Sequence, residues 1–406
     1  MRNKKVLFLN ALLALTVIFA FTATANAGGK VYKIGMSLAI TGPTSDAGNP
    51  YSKGTEDYFK FVNDTKMLGD DTIDCTIRDD QYKTEVTKRN FEDYLDQGIV
   101  MYLNYSTGST MGLKRDFEEE QIAVLPASYH SGNIVDSNYI FLPIASYGEQ
   151  LVILGEYVAK HHKGGKAKVA LFVHPSAFGR LPVADVKKAI DEGLNIELVE
   201  VVEHGKDLDN TAMLKRLMSK KVQYVISQTV QSPVATMIKD SSRLGLSASS
   251  FGEAGKLTFM GAHYTGGSDL IALTGNASEN FYWTTSFNIT SVAGEGTTKQ
   301  LALAKKYGRD QKAAESHNYA AGIYVAQVVT ETIKRTKDAG LEVNRENLYK
   351  TLNKMNGANA YQPYTAVGPV TYSEKDRAGV DMAQIYSVQG ATFKKVGEPV
   401  QSEYMK

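Results

Sequence analysis

The segment Leu103-Asn104-Tyr105-Ser106-Thr107-Gly108-Ser109-Thr110 joins the apolar run 99–103 to a stretch with helical periodicity, residues 111–120. A short apolar run that leads into a helix is typical of a buried strand in an α/β protein. Where small hydroxyl residues end the strand, free backbone N–H groups and hydroxyls can donate hydrogen bonds to one carboxylate or similar polar group. We interpret the segment as the floor of a solute-binding cleft. Helix capping by the same hydroxyls is the alternative interpretation.

The alternation of strands and helices extends along the chain in two similar sets. Apolar runs of the first set lie at 31–38, 72–77, 99–103, 122–125 and 139–142, and those of the second at 168–173, 196–201, 224–227 and 258–261. Repeated strand–helix units predict parallel, doubly wound sheets with a ligand crevice beyond the carboxyl ends of the strands. We therefore expect an α/β fold of two similar lobes.

The first 27 residues have the pattern of an export signal. Arg2, Lys4 and Lys5 precede an apolar run, residues 6–21, and Ala25-Asn26-Ala27 forms a small-x-small cleavage site. A membrane anchor is the alternative, but the run is shorter than the about 20 residues that a spanning helix needs. We expect cleavage after Ala27 and a periplasmic location, without a lipid anchor because no cysteine follows the site.

Amino-acid composition and net charge exclude some classes of function. The chain has 406 residues, of which 43% are hydrophobic and 22% charged, as in globular proteins. Removing the signal takes away three positive charges and no negative ones, which changes the formal charge from +1 to −2. We therefore expect no nucleic-acid partner. Cys75 is the single cysteine, so no disulfide forms within the chain.

Motifs for other chemistries do not occur. The glycine–lysine pattern of a phosphate-binding loop and the Gly-x-Ser-x-Gly elbow of hydrolases are missing from the sequence. His161 and His162 are adjacent on a predicted helix and point apart, which disfavours a metal site. We therefore expect neither a cofactor nor a metal, and no enzymatic activity.

The chain resembles the leucine/isoleucine/valine-binding class of periplasmic binding proteins, the solute receptors of ABC importers. The resemblance is carried by the following segments: Thr41-Gly42-Pro43, Gly48, Gly54, Asp79-Asp80, 106–110, Phe178-Gly179-Arg180, Leu244-Gly245-Leu246, Phe259-Met260-Gly261, 318–321 and 368–372. It implies the type I fold, with a three-crossover hinge that lets the lobes close on a solute. We place 28–147 and 278–358 in lobe 1, and 148–277 and 359–406 in lobe 2.

The resemblance also implies partners and site residues. A monomer would bind a small solute and transiently contact a membrane permease and ATPase complex; a sensory receptor is the alternative, and an exported enzyme a weaker one. The solute's carboxylate would be held by lobe 1, at Ser106, Thr107, Gly108, Ser109, Ser128, Tyr129 and His130. Lobe 2 would add Phe178 and Gln231. Tyr147 and Tyr319 are further candidates, because tyrosine combines an apolar face with an orienting hydroxyl.

One position departs from the family pattern. Amino-acid binders of this family place an acidic residue after the strand that ends in Phe-Met-Gly, but here His263 follows. An enclosed ammonium without a carboxylate partner would be costly. We therefore hypothesise a small carboxylate, an amide or an aromatic acid as the solute, with His263 as a donor or cation. Asp46, Glu253 or Asp269 could still supply the missing negative charge.

Overall fold

The computed structural model describes residues 28–204 and 209–405, so the predicted signal peptide, 1–27, lies outside the described residues. In chain order, the elements are β1 (Val31–Leu38), α1 (Ser45–Asp64), β2 (Thr72–Asp79), α2 (Thr84–Asp96), β3 (Met101–Leu103), α3 (Thr107–Gly112), α4 (Lys114–Glu119), β4 (Leu142–Ile144), α5 (Tyr147–His161), β5 (Ala167–Val173), α6 (Ala177–Arg180), α7 (Val183–Asp191), β6 (Ile196–Glu203), α8 (Thr211–Ser219), β7 (Tyr224–Gln228), α9 (Gln231–Arg243), β8 (Thr258–Gly261), α10 (Ser268–Thr274), β9 (Tyr282–Thr285), α11 (Glu295–Lys306), α12 (Gln311–Glu315), α13 (His317–Asp338), α14 (Arg345–Leu352), β10 (Ala378–Val380), β11 (Ala383–Val388) and β12 (Phe393–Val400).

The first lobe is built on a parallel sheet with the strand order β2-β1-β3. Single bridges from Tyr102 to Val124 and from Val124 to Ile140 extend it. The strand expected at 122–125 is thus reduced to a bridge, and Pro126, which follows it, has no N–H group to continue a ladder. The strand expected at 139–142 forms a bridge at Ile140 and continues into the short strand β4, which begins at Leu142.

Helices α1 and α13 cover this sheet and touch through two glycines. A Cβ atom on Gly54 would lie 2.1 Å from the Tyr319 carbonyl oxygen, and one on Gly322 would lie 2.0 Å from that of Tyr51. Any larger residue would force the helices apart. This close approach fixes α1, whose N-terminal end lies at the cleft.

The second lobe contains a seven-stranded sheet with the order β12-β11-β9-β8-β7-β5-β6. Strands β6, β5, β7, β8 and β9 are parallel, and β11 is antiparallel to β9 and β12. Strand β5, which lies between β7 and β6, is mostly apolar and buried on both faces, as parallel strands usually are. Val169 and Leu171 pack toward α5, whereas Ala170 and Phe172 pack toward α8 and α9. The predicted α/β architecture of parallel sheets is confirmed.

The chain passes between the two lobes three times: after β4, after β9 and after β10. Two of the predicted boundaries are therefore wrong by one strand. β9 follows the boundary at 278 yet continues the ladder of β8 in the second lobe. β10 follows the boundary at 359 yet pairs with β4, and nearby the Tyr372 hydroxyl donates to the Leu142 carbonyl at 2.9 Å.

The predicted helix over 110–120 forms as two short helices. The first begins at Thr107 because Ser106 caps it, and it ends at Leu113, whose ψ of 6° leaves the helical region. Within the ranges 28–204 and 209–405, no helix combines the length and hydropathy needed to cross a membrane. The same part of the chain brings no three His, Cys, Asp or Glu side chains together in a metal-binding group.

Candidate functional site

A small cavity of about 20 Å³ lies between the lobes, near the carboxyl ends of several strands. It is lined by Thr44, Tyr82, Tyr105, Ser106, Thr107, Ala127, Tyr147, Phe178, Val230 and Tyr264. A space of this volume holds about one water molecule. An organic solute can therefore enter only if the lobes separate.

The floor of the cavity is the predicted hydroxyl segment. The Ser106 hydroxyl accepts the Ser109 backbone N–H at 3.1 Å and lies 2.7 Å from the Ser109 hydroxyl. The buried Asn104 amide donates to the hydroxyls of Ser109, at 3.1 Å, and Thr110, at 2.8 Å. Ser106 thus caps α3 and also lines the cavity, whereas Ser109 faces the interior of the lobe.

Thr107 has the hydroxyl best placed to serve a ligand. Its Oγ1 lies 2.7 Å from Ser128 Oγ, which itself accepts a hydrogen bond from Asn133 Nδ2 at 3.0 Å. When Ser128 donates its proton to Thr107, the Thr107 proton is free to donate into the cavity. Because α3 has only six residues, its dipole is small and the hydroxyls dominate.

Aromatic rings from both lobes form the walls. The ring centroids of Tyr147 and Phe178 are 5.1 Å apart, and those of Phe178 and Tyr264 are 5.9 Å apart. The hydroxyls of Tyr147 and Tyr264 both donate to the Ala127 carbonyl, at 3.1 and 2.7 Å. Since Tyr264 belongs to the second lobe and Ala127 to the first, one of these hydrogen bonds spans the cleft.

Tyr82 reaches the cavity from a turn with unusual backbone angles. Gln81 and Tyr82 have φ values of 53° and 62°, which non-glycine residues seldom adopt. The carboxylates of Asp79 and Asp80 hold this turn by accepting the N–H groups of Gln81, at 3.0 Å, and Tyr82, at 2.8 Å. The Tyr82 hydroxyl lies 3.4 Å from Ser176 Oγ in the second lobe.

Sequence reasoning missed Thr44, Tyr82, Tyr105 and Ala127 as lining residues, and it left Tyr264 and Val230 outside the chosen set. The positions of two of these residues in the sequence could have identified them as lining residues. Tyr82 follows β2 and Tyr105 follows β3, and the rule that ligands lie beyond the carboxyl ends of parallel strands would select both. Thr44 lies in the small-residue loop after β1.

Asp46 lies at the edge of the cleft and not among the lining residues. Its Oδ2 accepts a hydrogen bond from the hydroxyl of Ser232, in the second lobe, at 3.0 Å. Burial raises the pKa of the Asp46 carboxyl, although the hydrogen bond from Ser232 opposes the shift. A second contact between the lobes joins the Ser131 hydroxyl to Asp185 at 3.4 Å.

The expectation that His263 faces the solute is wrong. His263 is fully buried, its Nδ1 lies 2.8 Å from Thr285 Oγ1, and its ring packs 4.9 Å from the ring of His317. Burial, together with His317, keeps the pKa of His263 well below its ordinary value, so the ring is neutral. The short helical turn 263–265 directs the next side chain, Tyr264, to the cavity instead.

Four other predicted residues are close to the cavity without lining it. Tyr129 stacks on Tyr264, with ring centroids 5.7 Å apart and planes at 6°. Ser128 supports Thr107 from behind, and the Gly108 N–H belongs to the first turn of α3. His130 is buried, and burial and Lys114 lower its pKa to about 4.

The remaining predicted residues have structural roles. Gln231 Nε2 donates to the Gly266 carbonyl at 3.3 Å. The Tyr319 hydroxyl donates to Asp57, which also pairs with Arg309 at 2.6 Å, so Tyr319 ties α13 to α1. The two other acids that sequence reasoning considered are also engaged away from the cavity: Asp269 accepts the Ser316 hydroxyl at 2.9 Å, and Glu253 accepts the Ser249 N–H at 2.6 Å.

Comparison with known proteins agrees with the two-lobed α/β fold. A family model described as periplasmic binding protein matches residues 31–393. A branched chain amino acid ABC transporter from Thermus thermophilus, solved with bound valine, is 41% identical and superimposes with a TM-score of 0.87. That alignment covers 93% of this chain and 98% of the other.

More distant relatives share the fold. The leucine-, isoleucine-, valine-, threonine- and alanine-binding protein of Pseudomonas aeruginosa is 22% identical over 275 residues, which are 67% of this chain and 70% of the relative. A solute binding protein of an ABC transporter from Rhodopseudomonas palustris, solved with 3,4-dihydroxybenzoic acid, is 17% identical, with a TM-score of 0.74. The alignment covers 92% of this chain and 98% of that one.

Proposed function

Because the chain belongs to the periplasmic binding protein family, in its leucine/isoleucine/valine-binding class, we propose that it captures a small carboxylate solute for an ABC importer. Members of this family bind small solutes and work with a membrane permease. The proposal assigns this chain to the periplasm as a monomer that releases its solute chemically unchanged.

The observation that carries the proposal is the pair of hydroxyls on the cavity floor. Ser106 and Thr107 line the space between the lobes, and the Thr107 proton is available to a ligand when Ser128 is the donor in the hydrogen bond that joins the two hydroxyls. A hydrogen bond to a charged group contributes about 1.5–3 kcal/mol. The carboxylate of the solute therefore binds at these hydroxyls.

The walls determine the rest of the solute. Tyr105, Tyr147, Phe178 and Tyr264 present ring faces and edges, and Val230 adds an aliphatic surface. Enclosing an apolar group here stabilises the complex by about 25 cal/mol for each Å² of apolar surface removed from water. A branched aliphatic or aromatic body fits this wall.

An amino group on the solute is not required by this site. Among the described lining residues none is charged, so an enclosed ammonium would depend on the Ala127 carbonyl, tyrosine hydroxyls and ring faces. We therefore propose that des-amino acids bind at least as tightly as amino acids. The valine-bound relative from Thermus thermophilus favours an amino acid as the second candidate, with Asp46 as an acidic group at the cleft edge.

Closure of the lobes would let a permease distinguish the solute-bound chain from the empty one. A solute shifts the population only if it binds the closed arrangement better than the open one. First-lobe hydroxyls are fixed by their own network and can bind first, whereas Phe178, Val230 and Tyr264 reach the solute only when the lobes meet. The hydrogen bonds Tyr264–Ala127 and Ser232–Asp46 then add to the closed arrangement.

Calorimetric titration of the mature chain with valine, 3-methylbutanoate and 3,4-dihydroxybenzoate tests the proposal. We expect saturable binding of at least one des-amino acid, and recovery of the ligand unchanged. Binding of valine alone would replace our solute class with the amino-acid candidate. Absence of binding by all three, and by a wider set of small carboxylates and amides, would remove the receptor function. Genes for a permease and an ATPase beside this one would favour import over sensing.

A further inference from the structure

A second cavity, of about 430 Å³, lies apart from the cleft, between the second lobe and the start of α13. Its walls come from α10, the segment that follows β9, α12, α13 and the turn between β11 and β12. It is lined by Gly267, Ser268, Ile271, Ala272, Ile289, Thr290, Ser291, Glu315, His317, Ala391, Thr392 and Phe393. A cavity of this volume can enclose a small organic molecule.

His317 is the unusual member of this lining. It is only 2% exposed, and neither Nδ1 nor Nε2 has a hydrogen bond of good geometry among the described residues, although the His263 backbone is a weak partner of the ring. Gly267, with φ of 92°, packs closely against this ring, since a Cβ atom there would lie 2.3 Å from His317 Nδ1. Buried polar groups are nearly always hydrogen-bonded, so this ring is suited to a ligand that supplies the missing partners.

The chemistry of the other lining residues indicates the class of ligand. Burial lowers the pKa of His317 to about 3, so the neutral ring offers one donor and one acceptor. Glu315 has the one charged side chain among the described lining residues, and its Oε1 already accepts Gln311 Nε2 at 2.8 Å. The opposite side is apolar, at Ile271, Ile289 and Phe393. A cation with an apolar body complements these surfaces.

We propose that this cavity binds a small organic amine, with its ammonium group between Glu315 and His317 and its apolar body against Ile271, Ile289 and Phe393. The walls come from segments on both sides of the second crossing, so an occupant stabilises their described arrangement. A path of rings also leads to the cleft: His317 lies 4.9 Å from His263, and His263 lies 4.4 Å from Tyr264. Occupancy of one site therefore favours occupancy of the other. The amine site itself does not depend on the proposed function, whereas the coupling does.

Titration with 2-methylpropylamine tests the site, with 2-methylpropanol as the uncharged comparison. Ala272→Trp places a large ring at the cavity mouth, and Leu273→Trp adds the same ring at an exposed neighbour that does not line it. We expect the amine to bind the parent chain and Leu273→Trp equally, and Ala272→Trp at least about tenfold more weakly, which corresponds to about 1.4 kcal/mol. Failure of the amine to bind, or equal binding by the two tryptophan variants, would overturn the proposal.

Two further measurements test the role of the Glu315 charge and the coupling between the two sites, separately from the steric test with tryptophan. Glu315→Gln should weaken the amine at least about fivefold, whereas Asp191→Asn, a carboxamide control on α7 outside this lining, should not. Saturation with 3-methylbutanoate should tighten the amine, and the amine should tighten 3-methylbutanoate by the same factor. Equal affinities with and without the acid would overturn the coupling. If Ala272→Trp still binds 3-methylbutanoate, loss of the amine cannot be confused with failure of the cleft.

Discussion

The two walls of the cleft differ in how their side chains are held. The first-lobe wall consists mainly of hydroxyls fixed by hydrogen bonds within that lobe, as where Asn133 holds Ser128 against Thr107. The second-lobe wall consists of Phe178, Val230 and Tyr264, which are held by packing and, for Tyr264, by a hydrogen bond to the first lobe. The first wall is therefore complete before closure, and the second becomes part of the site through closure. Orientation of the solute and closure of the lobes should accordingly respond to different substitutions.

Thr107→Val should produce the largest effect, because it removes the free donor of the first wall with little change of shape. We expect the affinity for the carboxylate solute to fall by about 10- to 100-fold, since a hydrogen bond to a charged group contributes about 1.5–3 kcal/mol. Calorimetric titration measures the loss. The melting temperature of the unliganded chain should fall modestly, because the buried Ser128 hydroxyl loses its partner, but by less than in a variant of Thr110, whose hydroxyl makes two hydrogen bonds within the lobe.

Thr110→Val is the matched control for that substitution. Thr110 lies on the same helix, but its hydroxyl accepts from Asn104 and donates to the Ser106 carbonyl, each at 2.8 Å, and it does not line the cavity. We expect a lower melting temperature and nearly unchanged affinity. If both variants lose affinity equally, the segment acts through folding of the loop and not through contact with the solute.

Tyr264→Phe tests the second wall. The change keeps the ring and removes only the hydroxyl that donates to the Ala127 carbonyl at 2.7 Å across the cleft. We expect affinity to fall by about 2- to 10-fold and the solute-bound chain to be more extended in small-angle scattering. Tyr147→Phe removes a hydrogen bond to the same acceptor, but Tyr147 is anchored to the first lobe by the Tyr129 carbonyl. An equal loss of compactness in both variants would contradict a separate closing role for Tyr264.

Glu149 lies where the chain first crosses from one lobe to the other. Its substitution should have a smaller effect, a pH-dependent change in the stability of the fold. It forms a capping box with Ser146, and burial, with Asp381 and Asp376 nearby, raises its pKa from 4.5 to about 7. Between these values the folded chain holds a proton that the unfolded chain releases, so stability falls as pH rises through this window.

Glu149→Gln keeps an N3 side chain that can still complete the capping box and removes the titration. We expect its melting temperature to exceed that of the parent by about 2 °C at pH 8, and the difference to vanish near pH 4.5. Thermal unfolding measured across this range checks the sign. A difference in melting temperature between the parent and Glu149→Gln that stays constant from about pH 5 to about pH 8 would show that Glu149 is ionised throughout.

The difference between the walls also explains how much could be read from the sequence. The hydroxyl segment is local: residues 103–110 contain the strand end, the cap and the lining hydroxyls of Ser106 and Thr107, so the pattern predicted this part of the first wall. Which side chain after β8 reaches the cavity depends instead on how the turn 263–265 is oriented against the sheet. This orientation directs Tyr264 to the cavity and His263 to the interior. No periodicity within three residues determines that choice.

The domain boundaries failed for a related reason. β9 and β10 are short, and their sheet partners, β8 and β4, determine the lobe to which each belongs. Helical periodicity in 295–355 marked the first lobe correctly but carried no information on the strands that flank it. Tyr319 was selected for its residue type, whereas its hydroxyl is engaged by Asp57, 262 residues away in sequence.

Substitution of His130 should have the smallest effect on solute affinity, although the family pattern places this residue beside the solute. Its ring packs against Gly132, where a Cβ atom would lie 2.5 Å from Nε2, and it does not line the cavity. Because burial and Lys114 lower its pKa to about 4, the ring is uncharged above about pH 5 and offers no titrating cation to a carboxylate. We expect His130→Asn to change solute affinity by less than about twofold, with the same pH dependence as the parent between about pH 5.5 and about pH 8. A tenfold loss, or a transition near pH 6.5 that disappears in the variant, would instead place His130 in the first wall, where its charge would join the Thr107 hydroxyl in holding the solute's carboxylate.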